Sequence, residues 1–145
     1  MITSPGIDQL AAALIKAHAE FSPVKRSRIV EVGTKSGGKY TFAYAPLDTI
    51  MDAIKGPLQA NGLALVQGVS RYEGGDVLNT RIIHASGQWA ANETPVVAQK
   101  GCSAQEYGSA LTYARRYGVT MLMSLVADDD DDANSGDGNK ARFLD

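Results

Sequence analysis

Five consecutive aspartates, Asp128 to Asp132, form the densest cluster of chemically capable side chains in this 145-residue chain. Carboxylates bind magnesium, and two-metal nucleases hold their ions about 3.5 to 4 Å apart on groups fixed from several directions. Neighbouring residues of an unstructured run point different ways and fix nothing, and the run lacks the alternate-ligand and glycine spacing of a calcium loop. The composition of residues 128–145 therefore predicts an acidic solvated tail, with a metal-dependent nuclease as the minor alternative. A second candidate is Gly33-Thr34-Lys35-Ser36-Gly37-Gly38-Lys39-Tyr40, one residue away from the phosphate-cradling pattern G-x-x-x-x-G-K-S/T. Tyr40 stands where that pattern needs a hydroxyl for magnesium, and Lys39 to Tyr44 alternates as a strand where it needs a helix start. A hairpin tip is the expectation. His18 and His84 carry no nucleophile signature and read as structural histidines. Cys102, the lone cysteine, lies in a loop after Lys100-Gly101 with no activating partner. No catalytic residue, metal site or cofactor is expected.

What remains is positive charge interleaved with aromatic rings. Lys25, Arg26, Arg28, Lys35 and Lys39 stand against one acid, Glu31, while Tyr40, Phe42 and Tyr44 share one side of a strand. Single-stranded nucleic acid needs this combination, cations along the phosphates and π faces for the bases. The alternative is a solvated hairpin whose aromatics fill the core, and for Phe42 core filling is the expectation. A second concentration, Tyr113-Ala114-Arg115-Arg116-Tyr117, follows Lys100 in the preceding loop. At helical spacing Arg116 projects with Ser109, Thr112 and Thr120, whereas Arg115 borders the packed side, where neighbours hold its direction. A pinned guanidinium suits phosphate recognition. Ion pairing of either arginine and core packing of Tyr117 fit the spacing equally well. Lys25, Arg26, Arg28, Lys35, Lys39, Tyr40, Lys100, Tyr113, Arg115 and Arg116 are the candidate contacts, with Tyr40 or Tyr113 stacking on bases.

The elements that must position these groups read as α+β, a β-hairpin and a β-meander packed with helices. Ile7, Leu10, Ala11, Leu14, Ile15, His18 and Phe21 predict an amphipathic helix over 6–21 behind a Ser4-Pro5 start. Residues 28–34 and 39–44 form the hairpin. Leu47, Ile50, Met51, Ile54 and Leu58 line a second helix that Gly56-Pro57 should kink and Asn61-Gly62 should stop. Strands over 63–72, 77–85 and 88–93 make the meander, and a helix is expected over 104–125. With 44% hydrophobic residues the chain can bury a core, which divides it into one domain, 1–127, and the tail, 128–145. Net charge is −2, yet the first 127 residues hold 12 basic and 9 acidic side chains and the tail 2 and 7, so the body is mildly basic. No run approaches the ~18 to 20 apolar residues of a membrane span and no secretory leader opens the chain. A cytoplasmic protein without membrane contact is expected.

The stretch QEYGSALTYARRY, Gln105 to Tyr117, followed by the run at Asp128 to Asp132, closely resembles the signature of the ERF (essential recombination function) family of phage single-strand annealing proteins. Tyr44-Ala45-Pro46-Leu47, Pro57-Leu58, Asn61-Gly62-Leu63 and His84-Ala85-Ser86-Gly87 recur in the family's order, so the resemblance covers about residues 7–132. It implies a phage or prophage protein of a bacterial cell that binds single-stranded DNA without ATP and pairs complementary strands in recombination and repair. It further implies a ring or related homo-oligomer, a strand-strand-strand-helix core, and a host or phage single-strand binding protein as a possible loading partner. An interaction module that recruits a replication or repair factor is the main alternative. The tail would compete with DNA for the basic groove or recruit a basic partner.

Overall fold

The computed structural model describes residues 1–128. Its elements are β1 (Ile2–Thr3), α1 (Asp8–Ala19), β2 (Val24–Lys25), β3 (Arg28–Gly33), β4 (Lys39–Tyr44), α2 (Leu47–Ala60), β5 (Leu63–Tyr72), β6 (Gly75–His84), β7 (Trp89–Pro95), α3 (Ala104–Leu122) and β8 (Ala127–Asp128). The α+β expectation holds. Alternation along the meander turns Leu63, Leu78, Ile82 and Ala90 to one face of an antiparallel sheet in the order β1-β7-β6-β5. α1, α2 and α3 cover that face and close the core around Ile50, Ile54 and Val119. β3 and β4 form a separate two-stranded ribbon, and β2 pairs with β8 in parallel. Among the described residues no helix is long and apolar enough to cross a membrane.

The first helix departs from the sequence reading at its start. Ser4 does not cap it; the Ser4 hydroxyl accepts from the Trp89 N–H (2.9 Å) and donates to the Gly6 carbonyl (2.7 Å), tying β1 to β7. The orphan N–H groups of Gln9 and Leu10 are instead taken by Gln88 Oε1, both at 2.9 Å, from the β6–β7 turn. Gln88 Nε2 also donates to Asp8 Oδ1 (2.7 Å), a bond that holds the Asp8 carboxyl below its ordinary range. No local pattern marks a cap supplied from that far along the chain. Leu10, Ala13 and Ala17 face the core while Ile15 and His18 face solvent. His18 is thus no buried structural histidine; its ring lies 5.3 Å from Phe21. His84 is satisfied by Ser86, with Nδ1 2.8 Å from the Ser86 hydroxyl. In α2, Pro57 leaves the Ala53 carbonyl without its helical donor, and the Ser22 N–H fills that place at 3.3 Å. The helix therefore continues to Ala60.

α3 is nucleated by a capping box that the Ser103–Glu106 spacing encodes: the Glu106 N–H donates to Ser103 Oγ (3.1 Å) and the Ser103 N–H to Glu106 Oε2 (2.7 Å). These bonds hold the Glu106 carboxyl below its usual range, so the stability they add is present at neutral pH and lost as pH falls through that lowered value. The helix ends at Leu122, short of the expected Leu125, because Ser124 adopts φ 51°. The Leu125 N–H then reaches the Thr120 carbonyl (2.9 Å) and the Ser124 N–H the Met121 carbonyl (3.2 Å), a Schellman closure with serine in the usual glycine place. Met121, in the last turn, is 55% exposed.

The helix is seated on the sheet through Gly118. A Cβ there would collide with the buried Thr80 hydroxyl on β6, and the Asn92 side chain donates to the Gly118 carbonyl (3.3 Å). Gly118→Ala is expected to destabilise the protein by about 1 to 3 kcal/mol through overpacking. Gly108→Ala, whose Cβ meets open space in the same helix, is expected to stabilise it by about 0.5 to 1 kcal/mol. Thermal melts of both variants check the contrast, and equal melting temperatures would contradict it.

Candidate nucleic-acid interface

The two concentrations of charge and aromatics meet at one guanidinium. Arg116 projects from α3 toward the foot of the β3–β4 ribbon, its guanidinium carbon 4.3 Å from the centre of the Tyr44 ring. Tyr113, three residues before it on α3, and Tyr117, the next residue, lie 5.2 and 5.8 Å away. Three π faces thus hold one cation, a directional attraction that lysine would lose in part. Tyr113 and Tyr117 sit 4.6 Å apart, and the Tyr113 hydroxyl donates to that of Tyr117 at 3.2 Å. That bond pushes the Tyr113 phenol above its ordinary value. Beside this cluster an open groove of about 420 Å³ runs between β4 and α3, floored by Gly108, Ser109 and Thr112 and walled by Tyr44, Gln105, Tyr113 and Arg116.

The ribbon extends this surface away from α3. Register pairs Arg28 with Tyr44, Val30 with Phe42 and Val32 with Tyr40, so these six share one face. The ring centres step along it at 6.2 Å from Tyr44 to Phe42 and 6.4 Å from Phe42 to Tyr40. Phe42 is 44% exposed. The core-filling expectation fails because, among the described residues, the ribbon joins no larger sheet and its face beyond Tyr44 is left exposed. Lys39 belongs to the opposite face, where its Nζ pairs with Glu31 Oε1 at 3.0 Å. Gly33 to Gly38 is a tight hairpin tip, with the Thr34 N–H donating to the Gly38 carbonyl (2.7 Å) and the Thr34 hydroxyl to the same oxygen (2.9 Å). It is no phosphate cradle. Lys35 stands on that tip, exposed.

The two adjacent arginines point to different flanks of α3. Arg115 donates through Nε to Gln67 Oε1 on β5 (3.1 Å), while Gln67 Nε2 donates to the Arg115 carbonyl (3.1 Å) and to Thr80 Oγ1 (2.9 Å). It lines a smaller cleft of about 240 Å³ with Met51, Leu65 and Leu111. Both guanidiniums are held, but the more buried one is Arg116, the reverse of the spacing argument. The structure thus gathers Arg28, Tyr40, Tyr113 and Arg116 on one surface and sets Lys39 and Arg115 elsewhere. Lys25 lies on β2, Arg26 between β2 and β3, and Lys100 exposed in the loop before α3. Sequence reasoning missed Tyr44 and Tyr117 as members of the site. Tyr117 is 43% exposed rather than a core residue, and its i, i+4 spacing from Tyr113 was the available signal. Among the described residues no group of three or more metal-ligating side chains converges; the aspartates after Asp128 lie outside the described residues.

Removing the acceptor in Tyr117→Phe is expected to lower the Tyr113 phenol toward 10.0, since the hydroxyl pair is the largest cause of its upward shift. Tyrosine ring-carbon NMR across an alkaline titration reads this, and an unmoved Tyr113 would contradict the pairing.

No curated protein matches the chain. The model of one family does, over residues 10–142, which take in most of α1, the ribbon, the meander, the α3 motif and the acidic run. On this match the chain belongs to the ERF superfamily, a family of recombination proteins.

Proposed function

We propose that this protein binds single-stranded DNA and anneals complementary strands without ATP, as a homo-oligomer. The observation that carries the reading is the Arg116 guanidinium lodged among Tyr44, Tyr113 and Tyr117 at the edge of an open groove. A half-buried cation already held on aromatic faces loses little freedom when a phosphate reaches it. The Tyr44–Phe42–Tyr40 stripe then offers stacking faces to unpaired bases at the same surface. The reading requires no covalent chemistry, and the contacts it invokes are to backbone and base faces. Backbone contacts leave base edges free, so complementarity is tested by pairing with the incoming strand and the protein reads no sequence.

One protomer holds too few such groups to bind tightly. The basic excess of residues 1–127 is three charges, and copies set side by side join short tracks into a continuous path with the gain of avidity. The exposed ribbon, with Ile29 62% and Tyr40 52% accessible, leaves apolar surface for DNA or a neighbouring protomer to cover.

Arg116→Glu is expected to weaken binding of a fluorescent oligothymidylate at least tenfold and to reduce the salt dependence of affinity. Arg116→Lys, which keeps the charge but loses the planar stack, should fall between. Anisotropy titrations at several salt concentrations check both, and wild-type affinity in Arg116→Glu would remove this residue from the site.

A further inference from the structure

The main sheet protects one of its two edges and leaves the other open. At the β7 edge, β1 covers Ala90 and Ala91, and Pro95 closes the strand. At the opposite edge β5 runs for 10 residues, bonded on one side to β6 and, among the described residues, to no strand on the other. Its sequence, LALVQGVSRY, holds no proline, its one charge is Arg71 near the end, and its register with β6 is unbroken. The usual devices against strand addition are therefore missing over residues 63–70. β3 has the matching deficit. Among the described residues it pairs with β4 alone, and a two-stranded ribbon is marginal in water until a third strand joins it.

Side chains choose between the two ways of laying β3 beside β5. Along β3, Ile29 and Glu31 share one face, while Arg28, Val30 and Val32 share the face of the aromatic stripe. On β5, Leu65 and Gln67 turn toward the cleft of about 240 Å³ that Met51, Leu111 and Arg115 also line. Gln67 holds Arg115 Nε at 3.1 Å, and among the described residues no carboxylate pairs with that exposed guanidinium. Glu31 is the carboxylate the ribbon offers. Lys39 takes its Oε1 at 3.0 Å, which leaves Oε2 for a second cation. Beside it Ile29, 62% exposed, matches the apolar part of the cleft.

We propose that β3 of one protomer adds to the free edge of β5 on a second copy of this chain, with Ile29 in that copy's cleft beside Met51 and Leu111 and Glu31 on its Arg115. The proposal rests on the homo-oligomer reading above and names its interface. The two surfaces differ, so the contact runs head to tail and repeats into a closed ring or an open filament. With Ile29 and Glu31 turned to the neighbouring cleft, Tyr40 and Phe42 stay on the opposite face of the ribbon. Assembly and base stacking then do not compete for the same side chains.

The test follows the full-length protein by sedimentation velocity over a concentration series, without and with oligothymidylate, and by amide exchange read by mass spectrometry. E31R and R115E each set like charges face to face and are expected to raise the dissociation constant of assembly about tenfold or more. In an equimolar mixture of the two variants, contacts between unlike copies pair opposite charges, so assembly is expected to recover to within about threefold of wild type. Exchange over residues 28–33 and 63–72 is expected to slow as the wild-type protein is concentrated. Assembly of E31R at wild-type concentrations would overturn the interface and leave the DNA-binding reading standing. So would a failure to recover on mixing two variants that keep their circular dichroism, or exchange over both strands that ignores concentration. If R115E does not fold, E31R and the wild-type exchange decide the matter. A wild-type protein that stays monomeric with and without the oligonucleotide would fell the homo-oligomer reading and the interface with it.

Discussion

Everything the surface does depends on how closely α3 lies on the sheet, and that distance is set where Gly118 meets Thr80. With no side chain at Gly118 the helix backbone descends onto β6, and the Thr80 hydroxyl and Asn92 amide take up the polar groups brought together there. Residues two and three positions earlier are then committed to opposite flanks. Arg116 reaches the ribbon, and Arg115 reaches β5 through Gln67. A helix lifted by one methyl group would shift both guanidiniums together, so the packing contact and the proposed binding surface are one mechanical unit.

The second constraint is that the ribbon is built on its own. Among the described residues β3 and β4 pair only with each other, which leaves the Tyr40 and Phe42 rings exposed, while Tyr44 anchors the base of the ribbon to α3 through its stack with Arg116. An exposed aromatic stripe is costly in water unless something covers it, and a polymer with stackable bases or a neighbouring protomer would do so.

Much of this was legible in the sequence because the signals were local. The period-2 runs of the ribbon and meander, the Gly-rich turns and the helical spacing of α3 each depend on neighbours within a few residues. The features that were not legible are those fixed by distant partners. Gln88 caps α1 from the β6–β7 turn, and Ser22 repairs the helix at Pro57. Tyr44 belongs to the arginine site through contact with a helix that begins 60 residues later. Periodicity placed Arg115 and Arg116 on different sides of α3 but could not say which side the ribbon would occupy, so their degrees of burial came out reversed. Phe42 had the composition of a core residue, and only the separation of the ribbon from the main sheet exposed it.

The central claim is that this surface holds one strand while its bases stay free to pair with another. The most direct measurement mixes the purified protein with two complementary fluorophore-labelled oligonucleotides, in the absence of any nucleotide, and follows duplex formation by energy transfer. The account predicts pairing well above the spontaneous rate for complementary strands and none for unrelated ones. Pairing no faster than in buffer, at protein concentrations that saturate single strands, would contradict it.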